Sequence, residues 1–291
     1  MLAIDRMEID DAGGNPVKLA RAVVKQLPDT GAAVPVREIA EAVDIYEIRE
    51  EPLEGIEGGL VTADDKSIGS ILVNSKSDER RRRYTIGHEL GHYLNPWHRP
   101  HTDEGFRCAS RDMVVDKFDP GDRALQMEVE ANQFAAELLM PSEWVAKFLR
   151  RQMGVDIEHV LKLSDRFEVS RESAGRRYVS MTDEPTAIVF SKDGRVRYAR
   201  RHQYFPALSV WSGDHLPGGS LSIRSSLERG KISDWADFDG DVWLRQPTGR
   251  RVCEQTMAQR DGYRMTLLAL EDTDADEEDV GSEWAPPRFR K

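Results

Sequence analysis

The sequence predicts an α+β fold. A small antiparallel sheet supports a histidine-bearing helix, a pair of short helices follows, and a mainly antiparallel β domain comes after them. Three observations predict it. Before residue 184, apolar residues recur mostly at helical spacing, interrupted by short strand-like runs. Past that point the period changes to two. Within the first stretch, His88-Glu89-Leu90-Gly91-His92 sets two imidazoles four residues apart, on one face of a helix.

The elements follow in order. The first fifteen residues are acidic and glycine-containing and are expected to be loosely ordered. Val17, Leu19, Ala20, Val23, Val24 and Leu27 form an amphipathic stripe over 16–27. A short helix over 36–43 leads into a strand near 45–49. Gly58–Thr62 and Ser67–Asn74 read as paired strands, with Ala63-Asp64-Asp65-Lys66 as their turn. Ser77-Asp78-Glu79 supply a cap and first-turn acids for a helix to about residue 95, which Pro96 ends. The polar stretch 96–121 reads as a loop. A long helix over 122–140 is closed by Pro141, and further helices are expected near 142–149, 157–167 and 170–181. The last two resemble a helix-turn-helix. Lys192-Asp193-Gly194 joins two alternating strands, and further strands are expected at 209–211, 241–244 and 263–270. The acidic run 271–279 and the segment after it read as a solvated tail. The predicted organisation is a core over 1–140, a helical extension over 141–183, a β-rich domain over 184–270 that could be sensory or regulatory, and a tail over 271–291.

The composition excludes several classes. Two cysteines, Cys108 and Cys253, argue against a disulfide framework and a cysteine-rich zinc finger. No apolar run approaches the roughly 20 residues needed to cross a bilayer, and Met1–Asp5 turns acidic at once, so a cytoplasmic setting is expected. A net charge of −11 disfavours broad binding to nucleic acid.

The histidine pair points to zinc chemistry. Both imidazoles can reach one ion, and Glu89 stands where a carboxylate can reach a metal-held water. A catalytic zinc takes three protein ligands, and three residues compete for the third place. His98 has metzincin-like spacing, but Asn95 stands where that signature requires glycine. Glu128 and Glu130 lie on the next helix, where Ala131 and Ala135 permit a close approach; about 200° apart around the axis, only one of the two can face the metal. Asn132 could hold the free ring nitrogen of a histidine ligand. Tyr93 and His101 are candidates to stabilise an oxyanion, whereas His159, His202 and His215 read as surface residues. Gly58–Thr62 reads as a sheet edge to which an extended substrate could add.

Four blocks in order carry a resemblance. They are Ile71-Leu72-Val73-Asn74, Arg83 to His92, Glu128-x-Glu130-Ala131-Asn132-x-Phe134-Ala135, and Leu138-Leu139-Met140-Pro141. Together they resemble the ImmA/IrrE family of metallopeptidases over residues 15–182. The resemblance implies a minimal zincin-like core, Glu128 as the third metal ligand beside His88 and His92, Glu89 as the catalytic residue, and a neighbouring transcriptional repressor of the XRE type as substrate. The competing expectation is a DNA-binding or sensory regulator with a non-catalytic metal site, resting on the helical pair 157–181 with Arg171, Arg176 and Arg177.

Overall fold

The computed structural model describes residues 2–99, 105–109, 121–246 and 249–270. The expected tail at 271–291 and His101 lie outside them. The chain divides into two compact units, Met1–Asp183 and Glu184–Lys291.

The first unit opens with α1 (Arg6–Asp10), where a loose segment was expected. Asp5 caps it and fully buried Ile9 anchors it, two interactions strong enough to order a helix this short. Asn15 caps α2 (Pro16–Lys25), with Pro16 in the first turn. After α3 (Val36–Ala42) come β1 (Ile45–Glu51), β2 (Gly58–Thr62) and β3 (Gly69–Asn74). The central helix α4 (Glu79–Leu94) starts where the Asp78 carboxylate accepts from the Arg81 amide. It is followed by β4 (Phe106–Cys108) and α5 (Arg123–Leu139), then by α6 (Ser142–Leu149), α7 (Ile157–Arg166) and α8 (Arg171–Met181).

The sheet order is β1-β3-β2-β4. The β2–β3 hairpin is antiparallel, as its tight turn requires, and β4 is antiparallel to β2. Only β1 joins parallel, because it reaches β3 from the side away from that hairpin. The predicted edge at Gly58–Thr62 is corrected here. Cys108, Arg107 and Phe106 pair with Gly58, Gly59 and Leu60, so β4 is the outer strand. Three residues inside a polar stretch show no periodicity, and only their partner strand makes them a strand.

Small residues bring α4 and α5 together. A Cβ on Gly91 would lie 3.0 Å from the Ala131 Cα, and one on Gly87 would lie 3.5 Å from the Ala135 Cβ. The helical pair is tied to this unit through arginines. Arg80 donates to Ser164, Asp165 and the Val169 carbonyl. Arg177 binds the buried Glu137 carboxylate, the Met140 carbonyl and Ser142, which removes it from the arginines available to phosphate.

The second unit is a five-stranded antiparallel sheet. Its strands are β5 (Thr186–Lys192), β6 (Arg195–Arg201), β7 (Ala236–Asp239), β8 (Arg251–Ala258) and β9 (Tyr263–Leu270), in the order β6-β5-β9-β8-β7, and a one-turn helix α9 (Leu221–Arg224) precedes β7. Asp193 and Gly194 take positive φ at the β5–β6 turn. Two expected strands are corrected. Ser209–Trp211 is not a strand, and 241–244 falls at a 3-10 turn over Gly240–Val242. Leu208 and Leu244 meet only in an isolated bridge, and Trp243 is buried in the core with Phe205, Val252 and Leu268. These apolar residues fill the core from loops rather than from a ladder.

Candidate metal centre

His88, Glu89 and His92 are all fully buried on α4. Their helix lies against β2 so closely that a Cβ on Gly58 would sit 2.3 Å from the Thr85 methyl. The Nε2 atoms of His88 and His92 are 3.2 Å apart. Glu128 of α5 reaches both, with Oε2 at 3.1 Å from His88 and Oε1 at 3.5 Å from His92. Burial works against ionising Glu128, but hydrogen bonds from the two rings override it and hold its carboxyl well below the usual range. The Cys108 sulfur lies 3.1 Å from the His88 Nε2 and 3.9 Å from the Glu128 Oε2. Donor atoms of His88, His92, Cys108 and Glu128 all lie within 4.8 Å of one another.

The ring nitrogens facing away from this cluster are held too. His88 Nδ1 is 3.0 Å from Asn132 Oδ1, which also accepts from the Tyr84 hydroxyl at 2.9 Å. His92 Nδ1 is 3.0 Å from His98 Nδ1, and His98 Nε2 is 2.9 Å from Glu130 Oε2. Glu130 also accepts from Asn95 and Gln126. When a metal replaces the ring protons shared with Glu128, Nδ1–H can donate outward from both His88 and His92, which would leave each Nε2 lone pair for the metal. His98 and Glu130 therefore stand behind His92 rather than in the cluster.

The donor set fits zinc. Tetrahedral zinc with nitrogen and oxygen ligands at roughly 2.0–2.1 Å keeps its donors about 3.3 Å apart, near the spacings between His88, His92 and Glu128. Beside them, neither oxygen of Glu89 accepts from an N–H or O–H group among the described residues. Burial pushes its carboxyl up to about 7, with the His88 ring and the Cys108 thiol acting in the lowering direction. Phe106 stacks on His92 with centroids 4.5 Å apart. Lys66 donates to the carbonyls of His92 and Asn95, both at 2.6 Å, closing the C-terminal end of α4; burial, with Arg99 and Arg6 nearby, brings its amine down to about 7.

Tyr93 does not face the cluster: its hydroxyl accepts from Arg6 and its ring lies by Gly69. His159, expected at the surface, is buried and lies 3.2 Å from the Tyr178 hydroxyl, because α7 turns it toward α8. His202 is partly exposed and His215 exposed. Sequence reasoning missed Cys108 and Lys66. Neither has a spacing that ties it to the motif, and the only signal was a single cysteine in the loop that follows it.

Fold and centre together define a metallopeptidase-type domain, in which one helix carries His-Glu-x-x-His and a second brings a carboxylate to it. Residues 40–178 match the family model of the IrrE N-terminal-like domain, Peptidase_M78. Radiation response metalloprotease IrrE of Deinococcus radiodurans is 30% identical over 124 residues, 42% of this chain and 33% of that protein. Uncharacterized immunity region protein 2 of Bacillus phage phi105 is 32% identical over 92 residues, 32% of this chain and 51% of that protein. The matches thus span between a third and a half of these relatives. A solved structure of a Mycobacterium tuberculosis transcriptional regulator shares the fold over 91% of this chain and 78% of its own, with a TM-score of 0.54 and 12% identity. Among the described residues, no helix is long and apolar enough to cross a membrane.

Proposed function

We propose that this chain is a zinc-dependent endopeptidase that cuts a cytoplasmic helix-turn-helix repressor of the XRE type, relieving repression of its target genes. His88, His92 and Glu128 are the metal ligands in this reading, and Glu89 is the catalytic residue. The observation that carries it is Glu89 itself. It is a fully buried carboxylate that accepts from no N–H or O–H group among the described residues, next in sequence to a metal donor. A structural site has no use for such a group, whereas a hydrolytic one does.

Bound zinc would polarise the scissile carbonyl and acidify a water molecule. Glu89 takes the proton from that water and later delivers it to the leaving amine. Asn132 and His98 orient the two imidazoles. The family match and the name of the Deinococcus relative support a protein substrate. Cutting a repressor between its DNA-binding and oligomerisation parts would uncouple two halves whose joint hold on an operator far exceeds either alone.

The test mixes the purified chain, zinc and a candidate repressor, with and without chelator, and follows intact mass and operator binding. A chelator-sensitive cut that lowers operator affinity is the expected result. An intact repressor throughout, with hydrolysis of unrelated peptides, would leave a general peptidase instead. One observation favours the second reading, a regulator with a non-catalytic metal: Cys108 brings the donors to four, as in a closed structural site. Zinc-dependent DNA retention without hydrolysis would decide for it.

A further inference from the structure

We propose that Cys108 is a fourth protein donor to the metal and that β4, which carries it, holds the centre latent by lying along the edge of β2 that an extended substrate would use. The inference rests on the metal reading above and adds its regulation. A catalytic zinc keeps one position open for water, and a fourth protein donor closes it. The Cys108 sulfur is buried among the other three donor groups and beside the Glu89 carboxylate.

The backbone points the same way. Cys108, Arg107 and Phe106 pair with Gly58, Gly59 and Leu60, and the Glu57 amide donates to the Cys108 carbonyl at 2.9 Å. An extended segment can add to a sheet edge through main-chain hydrogen bonds, and here β4 occupies the backbone groups such a segment would need. Phe106 clamps the strand onto His92. Gly105 admits it: φ is +87°, and a Cβ there would lie 2.3 Å from the Leu60 carbonyl oxygen. Pairing and sulfur ligation are thus coupled, since a segment that displaces β4 from β2 also withdraws Cys108. The exchange is not redox. The sulfur–metal bond is given up, water takes the position, and the released thiolate picks up a proton from solvent.

The experiment loads the full chain with one equivalent of cobalt(II) and records its absorption spectrum. Wild type and Cys253→Ala are expected to show a near-ultraviolet thiolate-to-cobalt charge-transfer band. Cys108→Ala should lose it while keeping the visible ligand-field bands. Acetohydroxamate, titrated through those visible bands, should bind Cys108→Ala about tenfold or more tightly than wild type, because no closed state has to open first. Gly105→Ala retains the thiol but dislodges the strand, and should weaken the charge-transfer band and tighten acetohydroxamate binding. That variant keeps the idea testable if Cys108→Ala folds poorly. Cobalt uptake with no charge-transfer band in wild type, or a band that persists in Cys108→Ala, would refute sulfur ligation and leave the metal reading standing. Equal acetohydroxamate affinities would refute latency. Failure of every form to take up cobalt would remove the metal reading, and this proposal with it.

Discussion

Glu89 and Glu254 are both fully buried carboxylates, one in each compact unit, and the protein treats them in opposite ways. Glu254 on β8 accepts from the Leu221 and Ser222 amides at 2.9 and 2.7 Å and from the Trp243 indole at 2.9 Å. It ties α9 and the core tryptophan to the sheet. Among the described residues, Glu89 accepts from no N–H or O–H group and has only the weak Cys108 thiol against it. Burial raises both carboxyls; at Glu254 three N–H donors work against the rise, at Glu89 only the His88 ring and the Cys108 thiol. A buried acid surrounded by donors is a structural bracket. One without them keeps its lone pairs for a proton that arrives with substrate.

The largest effect that can break this contrast is on catalysis. Glu89→Gln is expected to lower hydrolysis roughly a hundred- to ten-thousandfold with metal content unchanged, both measured on one sample. If the variant also loses its metal, Glu89 is a ligand and the comparison fails. Next comes the carboxylate that touches both rings. Glu128→Ala should weaken metal binding by more than about a hundredfold, and His98→Ala or Glu130→Ala by about ten- to a hundredfold, since these act only through His92. Equilibrium dialysis with zinc ranks them, and a site emptied by His98→Ala alone would reverse the order.

On the structural side, Glu254→Ala leaves two buried and one half-buried N–H group without their acceptor. It should cost roughly 3–5 kcal/mol in the second unit, read by tryptophan fluorescence during denaturation, and leave metal affinity untouched. A cost below about 1 kcal/mol would mean that water replaces the carboxylate there.

The smallest effect concerns the metal-free protein. The folded-state value for Glu89 lies near 7, above the ordinary 4.5, so the native state binds the extra proton between these values. Its contribution is fully present below about pH 4.5 and is lost as pH rises through 7. Glu89→Gln should therefore match wild type in stability near pH 4.5 and exceed it by on the order of 2–3 kcal/mol above pH 7. A gap that stays constant with pH would show that the carboxylate has found a partner.

Much of this was legible in the chain because the signals are local. Asn15, Asp78 and Asp122 cap helices through amides three residues on, and His88 and His92 meet because one helical turn separates them. The β2–β3 and β5–β6 hairpins follow from their short turns. The small residues of α5 promised a close approach to α4, and Gly91 against Ala131 is that approach.

Other features depend on partners far along the chain. The strand β8 was invisible because Glu254, Gln255 and Thr256 interrupt its apolar pattern, yet all three are buried, with Glu254 satisfied by donors supplied from 221–243. His98 had the spacing of a ligand, and only the placement of Glu130 turns it to support His92 instead. Cys108 carries no local mark at all, and its place among the donors comes from the pairing of β4 with β2. Caps, turns and helical spacing are set by neighbours within a few residues. Which distant donor reaches a buried acid or a metal is set by packing, which no short window of sequence contains.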